Sequence, residues 1–143
     1  MITTAKNMIA DNNLCVLSTC GDGQPNSSLM QYISDASCTK LFMLTLQGSQ
    51  KQQNIKKNQR VSLLIDTRAD AARHQEPLKA LTVYGQAEFI GDAPRKNELI
   101  SQLVQKNSDL QVLAGDSNCL VIQVSAEKLL LLDGVDKSTY MDV

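Results

Sequence analysis

The stretch that most invites chemistry is Thr45-Leu46-Gln47-Gly48-Ser49-Gln50-Lys51. A strand ends at the threonine, glycine permits a tight turn, and Ser49 stands where a helix would begin. Gln52, three residues on, completes the pattern of a capping box. The first backbone N–H groups of such a helix have no intrahelical partner. With the helix dipole they favour an anion, and here Ser49 adds a hydroxyl and Lys51 a positive charge. The segment therefore has the makings of a phosphate seat. It equally has the makings of an ordinary N-cap beside a solvated lysine, and such caps are common.

The other reactive residue types are sparse. The four cysteines, Cys15, Cys20, Cys38 and Cys119, include no C-x-x-C pair, and His74 is the one histidine. That set predicts no metal site, because zinc wants four Cys or His ligands, usually in close pairs. An odd separation puts Cys15 and Cys20 on opposite faces of a strand. Cys15 is expected in the core and Cys20 at the turn. His74 stands among Arg73, Gln75 and Glu76 and is expected on a polar surface loop. Asp133, Asp136 and Asp142 are too spread along the chain to propose as ligands.

The elements that must position these residues follow from periodicity and turn chemistry. Ile2, Ala5 and Ile9 predict a short amphipathic helix over Ile2–Asn12. Leu14–Thr19 reads as a buried strand, and the Asp22-Gly23 turn leads to a second strand over Pro25–Ser34. Leu41–Leu46 is a third strand. The capped helix runs from Ser49 to Lys57, and Val61–Asp66 is a fourth strand. Thr67–Pro77 is a polar loop. Leu81–Ile90 is a fifth strand, with Gly85 marking a bulge or close backbone approach. Asp92-Ala93-Pro94 opens a helix to Asn107 whose apolar face carries Leu99, Ile100, Leu103 and Val104. Leu120–Val124 is a sixth strand, and Leu129–Leu132 a seventh or its continuation. Short turns between the first strands require antiparallel pairing. The order predicts a mainly β fold with peripheral helices, an antiparallel barrel, rather than a doubly wound sheet.

Composition bounds the rest. The chain has 143 residues, 43% hydrophobic and 20% charged, which predicts one globular domain over residues 1–143. Fourteen basic against fifteen acidic residues give a net charge of −1 and no expectation of a nucleic-acid partner. The longest apolar runs, such as Cys119–Ile122 and Leu129–Leu132, are far short of a membrane span. The N-terminal residues lack the apolar region of a secretory signal, and unpaired cysteines suit a reducing, cytoplasmic setting.

The order and spacing of these motifs resemble the pyridoxamine 5′-phosphate oxidase-like family of FMN-binding split β-barrels. The family pattern is D-G-x-P, a strand, a strand ending in Thr, S-x-K at a helix start, and N-P after that helix. Its counterparts here are Asp22-Gly23-Gln24-Pro25, the strand Ser27–Ile33, Thr45, Ser49-Gln50-Lys51, and Asn58. Gln59 replaces the proline. Leu81-Thr82-Val83-Tyr84-Gly85-Gln86-Ala87 is similar to the family's V-x-V-x-G-x-A segment. The resemblance covers most of the chain, strongly over Leu14–Ile90. It implies an antiparallel split β-barrel, a homodimer and FMN at the interface. Ser28, Leu29, Met30, Gln31 and Leu44 would lie along the flavin and its ribityl chain, with Thr45 beside them. Ser49, Gln50 and Lys51 would hold the phosphate. Relatives of the same barrel use the deazaflavin cofactor F420, which is the alternative.

The departures narrow the function. Members that oxidise pyridoxamine phosphate carry Arg at the positions of Ser28 and Gln50, a partner-chain Gln at Ala80, and a C-terminal Trp segment with an R-L-H-D-R run. This chain has no tryptophan, no arginine after Arg95, and Leu130-Leu131-Leu132-Asp133-Gly134 in the matching region. The resemblance thus implies a flavin-dependent oxidoreductase on another small molecule. A flavin carrier or sensor, or a dimeric interaction module without cofactor, are the readings it leaves open.

Overall fold

In the computed structural model, residues 1–69 and 76–143 are described. His74 and most of its loop lie outside the described residues. The strand sequence is β1 Leu14–Thr19, β2 Asn26–Gln31, β3 Ile33–Ser34, β4 Lys40–Leu46, β5 Arg60–Asp66, β6 Lys79–Phe89, β7 Cys119–Asp133 and β8 Ser138–Asp142. The helices are α1 Ile2–Asp11, α2 Gln50–Lys57, α3 Ala93–Lys106 and α4 Gln111–Ala114, with a 3₁₀ turn at Ser108–Leu110. The strands form one sheet in the order β2-β1-β5-β6-β7-β4-β3, with β8 added to β7. Every pairing is antiparallel. This is the antiparallel, mainly β architecture that the element order predicts, in the split-barrel form that the resemblance implies.

The alternation in β1 turns Cys15, Leu17 and Thr19 inward and leaves Leu14, Val16 and Ser18 on the outer face. Strand β4 breaks that rule, since Leu41 to Thr45 are all buried. Leu41 and Met43 enter the main core, while Phe42 and Leu44 face a second cluster with Leu99 and Leu103 of α3. Burial on both faces makes a strand read as a continuous apolar run. The run Cys119–Ile122 has the same origin, for it pairs with β4 and is covered by the same helix.

One strand differs from expectation. The expected strand Pro25–Ser34 divides into β2 and β3 at Tyr32. That side chain is fully buried, and its hydroxyl donates to the Ile9 carbonyl at 2.6 Å. Its backbone N–H bonds Asn13 O at 2.9 Å, so the chain is pinned to the end of α1 and bends there. Of the two expectations for Leu129–Leu132, the structure has the continuation: it joins Leu120–Val124 in one long strand. β7 pairs along its whole length with β6, and on its other edge first with β4 and then with β8. A bulge opposite Tyr84 and Gly85 absorbs the change of register. An added Cβ at Gly85 would lie 2.2 Å from Ser125 O, so only glycine fits this backbone approach.

Candidate functional site

The turn after β4 needs Gly48 because the backbone there is left-handed, with φ +86°. Ser49 N bonds Leu46 O at 3.1 Å to close the turn. Ser49 Oγ then accepts from Gln52 N at 3.2 Å and lies 2.9 Å from Thr45 Oγ1. The Gln52 side chain accepts from Gly48 N rather than from the cap residue itself. The capping box is therefore shifted back by one residue, and it ties the end of β4 to the start of α2.

Two donors stay free in this arrangement. Among the described residues, the N–H groups of Gln50 and Lys51 have no protein partner, as expected for a first turn. Lys51 is half-buried and, among the described residues, has no carboxylate within ion-pair distance. The Gln50 side chain is committed, donating to Asn54 Oδ1 at 2.9 Å, and Asn54 Nδ2 in turn donates to Thr19 Oγ1 at 3.0 Å. Asn54 is 2% exposed, so this relay fastens α2 to the end of β1 in a low-dielectric setting.

The Asp22-Gly23 turn docks on the same helix. Asp22 pairs with Lys57 at 2.7 Å. Gly21 packs against Asn54, where a Cβ would come within 2.9 Å of the Asn54 Cα. Asn58 donates to Cys20 O at 2.9 Å and accepts from Arg60 N at 3.1 Å. The asparagine holds the β1–β2 turn through its side chain.

A cleft of about 440 Å³ opens between β2 and β4. It is lined by Leu29, Met30, Gln31 and Leu44, with Leu14 beside them. Leu29 is 72% exposed. Met30 and Leu44 are mostly buried and belong to the two core clusters, so they form the floor rather than the rim. The structure thus brings Leu29, Met30, Gln31 and Leu44 together in the cleft, and Thr45, Ser49, Gln50 and Lys51 at the helix start. Leu44 and Thr45 are neighbours on β4, but only Leu44 lines the cleft. Ser28, opposite Leu17, is half-buried on β2 and lines neither.

The far wall is a feature the sequence reading missed. Asp109, Leu110 and Leu113, from the 3₁₀ turn and α4, close the cleft, and Gln31 Nε2 donates to Asp109 Oδ2 at 3.4 Å. The available signal was the polar Asn107-Ser108-Asp109 followed by Leu110 and Leu113 at helical spacing. Beneath the cleft, Cys15 stands opposite Met30, and burial pushes its thiol up to about 12. It is a packing group rather than a nucleophile.

The molecule is an antiparallel split barrel that carries an apolar cleft and, at the end of a strand lining it, a cationic, donor-rich helix start. A sequence model of the family described as pyridoxamine 5′-phosphate oxidase matches residues 1–133, and the chain belongs to that family. A search of curated proteins gave no match. Among solved structures, the General Stress Protein 26 of Bacillus anthracis is similar over 99% of this chain and 98% of its own, with TM-score 0.75 and 20% identity. A putative pyridoxamine 5′-phosphate oxidase of Listeria innocua matches 91% and 96% of the two chains, with TM-score 0.70 and 17% identity. HutZ, the heme storage protein of Vibrio cholerae, matches 94% and 97%, with TM-score 0.73 and 18% identity. At these identities the likeness is one of fold.

Proposed function

We propose that this protein binds FMN and acts as an oxidoreductase on a small molecule other than pyridoxamine phosphate. The observation that carries the reading is the free donor set at the start of α2, which follows the strand that gives Leu44 to the apolar cleft. The Gln50 and Lys51 N–H groups and the Lys51 ammonium suit a phosphate. The Leu29–Gln31 edge and Leu44 suit the flat, mostly apolar ring of a flavin, with the Gln31 amide and Asp109 as the polar groups at its rim. When bound, the flavin supplies the hydride or electron chemistry; the chain's own residues bind, orient and exclude water. The deazaflavin F420 is the second cofactor to test.

A homodimer accompanies this reading. Register places Leu29, Val16, Leu64, Thr82, Leu130 and Tyr140 in one row across six strands of the outer face. Leu29 and Leu64 are exposed in a single chain, and a second copy related by two-fold symmetry would cover them.

The likeness to HutZ favours a second reading, heme binding. The test is titration of the purified protein with FMN, riboflavin, F420 and hemin. Tight FMN binding supports the proposal, and reduction of the bound flavin by NADH or NADPH separates an oxidoreductase from a carrier. Hemin binding without flavin binding refutes it.

A further inference from the structure

A second cavity lies on the outer face, at the opposite end of β1 from the cleft, and shares none of its lining residues. Its volume is about 520 Å³. Register builds it. Ser18 lies opposite Ser62, Ser62 opposite Tyr84, and Tyr84 opposite Lys128, so hydroxyls and a cation form a row two residues along from the apolar one. Arg60 and Tyr140 complete the lining.

The bulge in β7 adds a residue to this wall. Consecutive strand residues normally face opposite ways. At the register shift near Tyr84 and Gly85, Glu127 is the extra residue, and both Glu127 and Lys128 line the cavity. Bulges re-aim side chains in this way and are common beside functional sites.

The donors converging here are unspent. Among the described residues, neither Arg60 nor Lys128 has a carboxylate within 4.0 Å, and the hydroxyls of Ser18, Ser62, Tyr84 and Tyr140 have no protein partner. Lys128 Nζ stands 4.3 Å from the centroid of the Tyr140 ring, which holds the ammonium at the cavity. Two cations against the one Glu127 carboxylate leave a net positive charge. Two tyrosine rings supply flat apolar walls.

From this combination we infer that the cavity is a second binding site, separate from the flavin cleft, for a small planar carboxylate. The carboxylate pairs with Arg60 and Lys128, and the ring packs on Tyr84 and Tyr140. The inference does not depend on the flavin reading, because no residue is shared.

The test uses benzoate as the planar anion, cyclohexanecarboxylate as a non-planar anion and phenol as an uncharged ring. Binding is followed by calorimetry and by the NMR signals of the three tyrosine rings. Benzoate is expected to move the Tyr84 and Tyr140 signals and leave buried Tyr32 in place, with the other two compounds binding several-fold more weakly. Arg60→Gln and Lys128→Gln should each weaken benzoate about three- to tenfold. Glu127→Gln should strengthen it by removing a like charge. These side chains are exposed, so folding should survive each change. Equal binding of all three compounds, unmoved tyrosine signals, or indifference to both cation variants overturns the inference. So does a change of oligomeric state in either variant with benzoate binding unaltered, which assigns the row to self-association.

Discussion

Replacing Lys51 with alanine separates the phosphate seat from the flavin ring. Lys51 is half-buried at the positive end of α2, beside two unpartnered N–H groups. A charge-assisted contact contributes about 1.5–3 kcal/mol. Partial solvent exposure places this one at the lower end, so FMN affinity should fall about tenfold. Riboflavin lacks the phosphate, and its affinity should hold. The protein without cofactor should respond in the opposite sense. A cation in the first turn opposes the dipole by about 0.3–1 kcal/mol, and alanine is the best helix former, so the empty Lys51→Ala protein should be equally or slightly more stable. Fluorescence titration of both flavins against both proteins, with thermal melts of the empty forms, measures each term. A parallel loss for FMN and riboflavin refutes the argument, as does no loss for either.

Asn54→Ala should cost about 1–3 kcal/mol and weaken FMN, since it removes the Gln50–Asn54–Thr19 relay and strands the buried Thr19 hydroxyl; denaturant unfolding alongside FMN titration checks both. Tyr32→Phe should cost a similar amount by leaving Ile9 O unpartnered at the β2–β3 break, and an unchanged unfolding midpoint would contradict that role. Gly85→Ala should be more damaging than either, because the new Cβ meets backbone rather than a movable side chain; a melt within a degree or so of wild type would show that the bulge yields. Burial raises the Cys15 thiol from 9.0 to about 12, so its contribution is whole below pH 9 and is lost as pH rises toward 12. Cys15→Ala should flatten the alkaline decline in stability, measured by denaturant midpoints across that range.

The local patterns in this chain were sufficient for much of the barrel and for one half of the site. Gly48, Ser49 and Gln52 specify a turn and a cap within a few residues, and β1 and β5 declare their inward faces by simple alternation. Such features depend on neighbours in sequence, so the sequence alone determines them. Tertiary structure decided the rest. Pro25–Ser34 has no internal breaker; it divides because Tyr32 reaches back to Ile9 of the first helix and to Asn13 just after it. Whether Leu129–Leu132 continues the sixth strand was open in the sequence, because the two halves of β7 meet different partners on one edge, a difference the residues themselves do not encode. Asp109, Leu110 and Leu113 reach the cleft from a segment far along the chain from Leu29. The second cavity arises only when the outward residues of β1, β5, β6, β7 and β8 are brought into register, with one bulge turning Glu127 and Lys128 to the same wall. Pairing between distant strands sets these positions, and the register of that pairing fixes which side chains share a face.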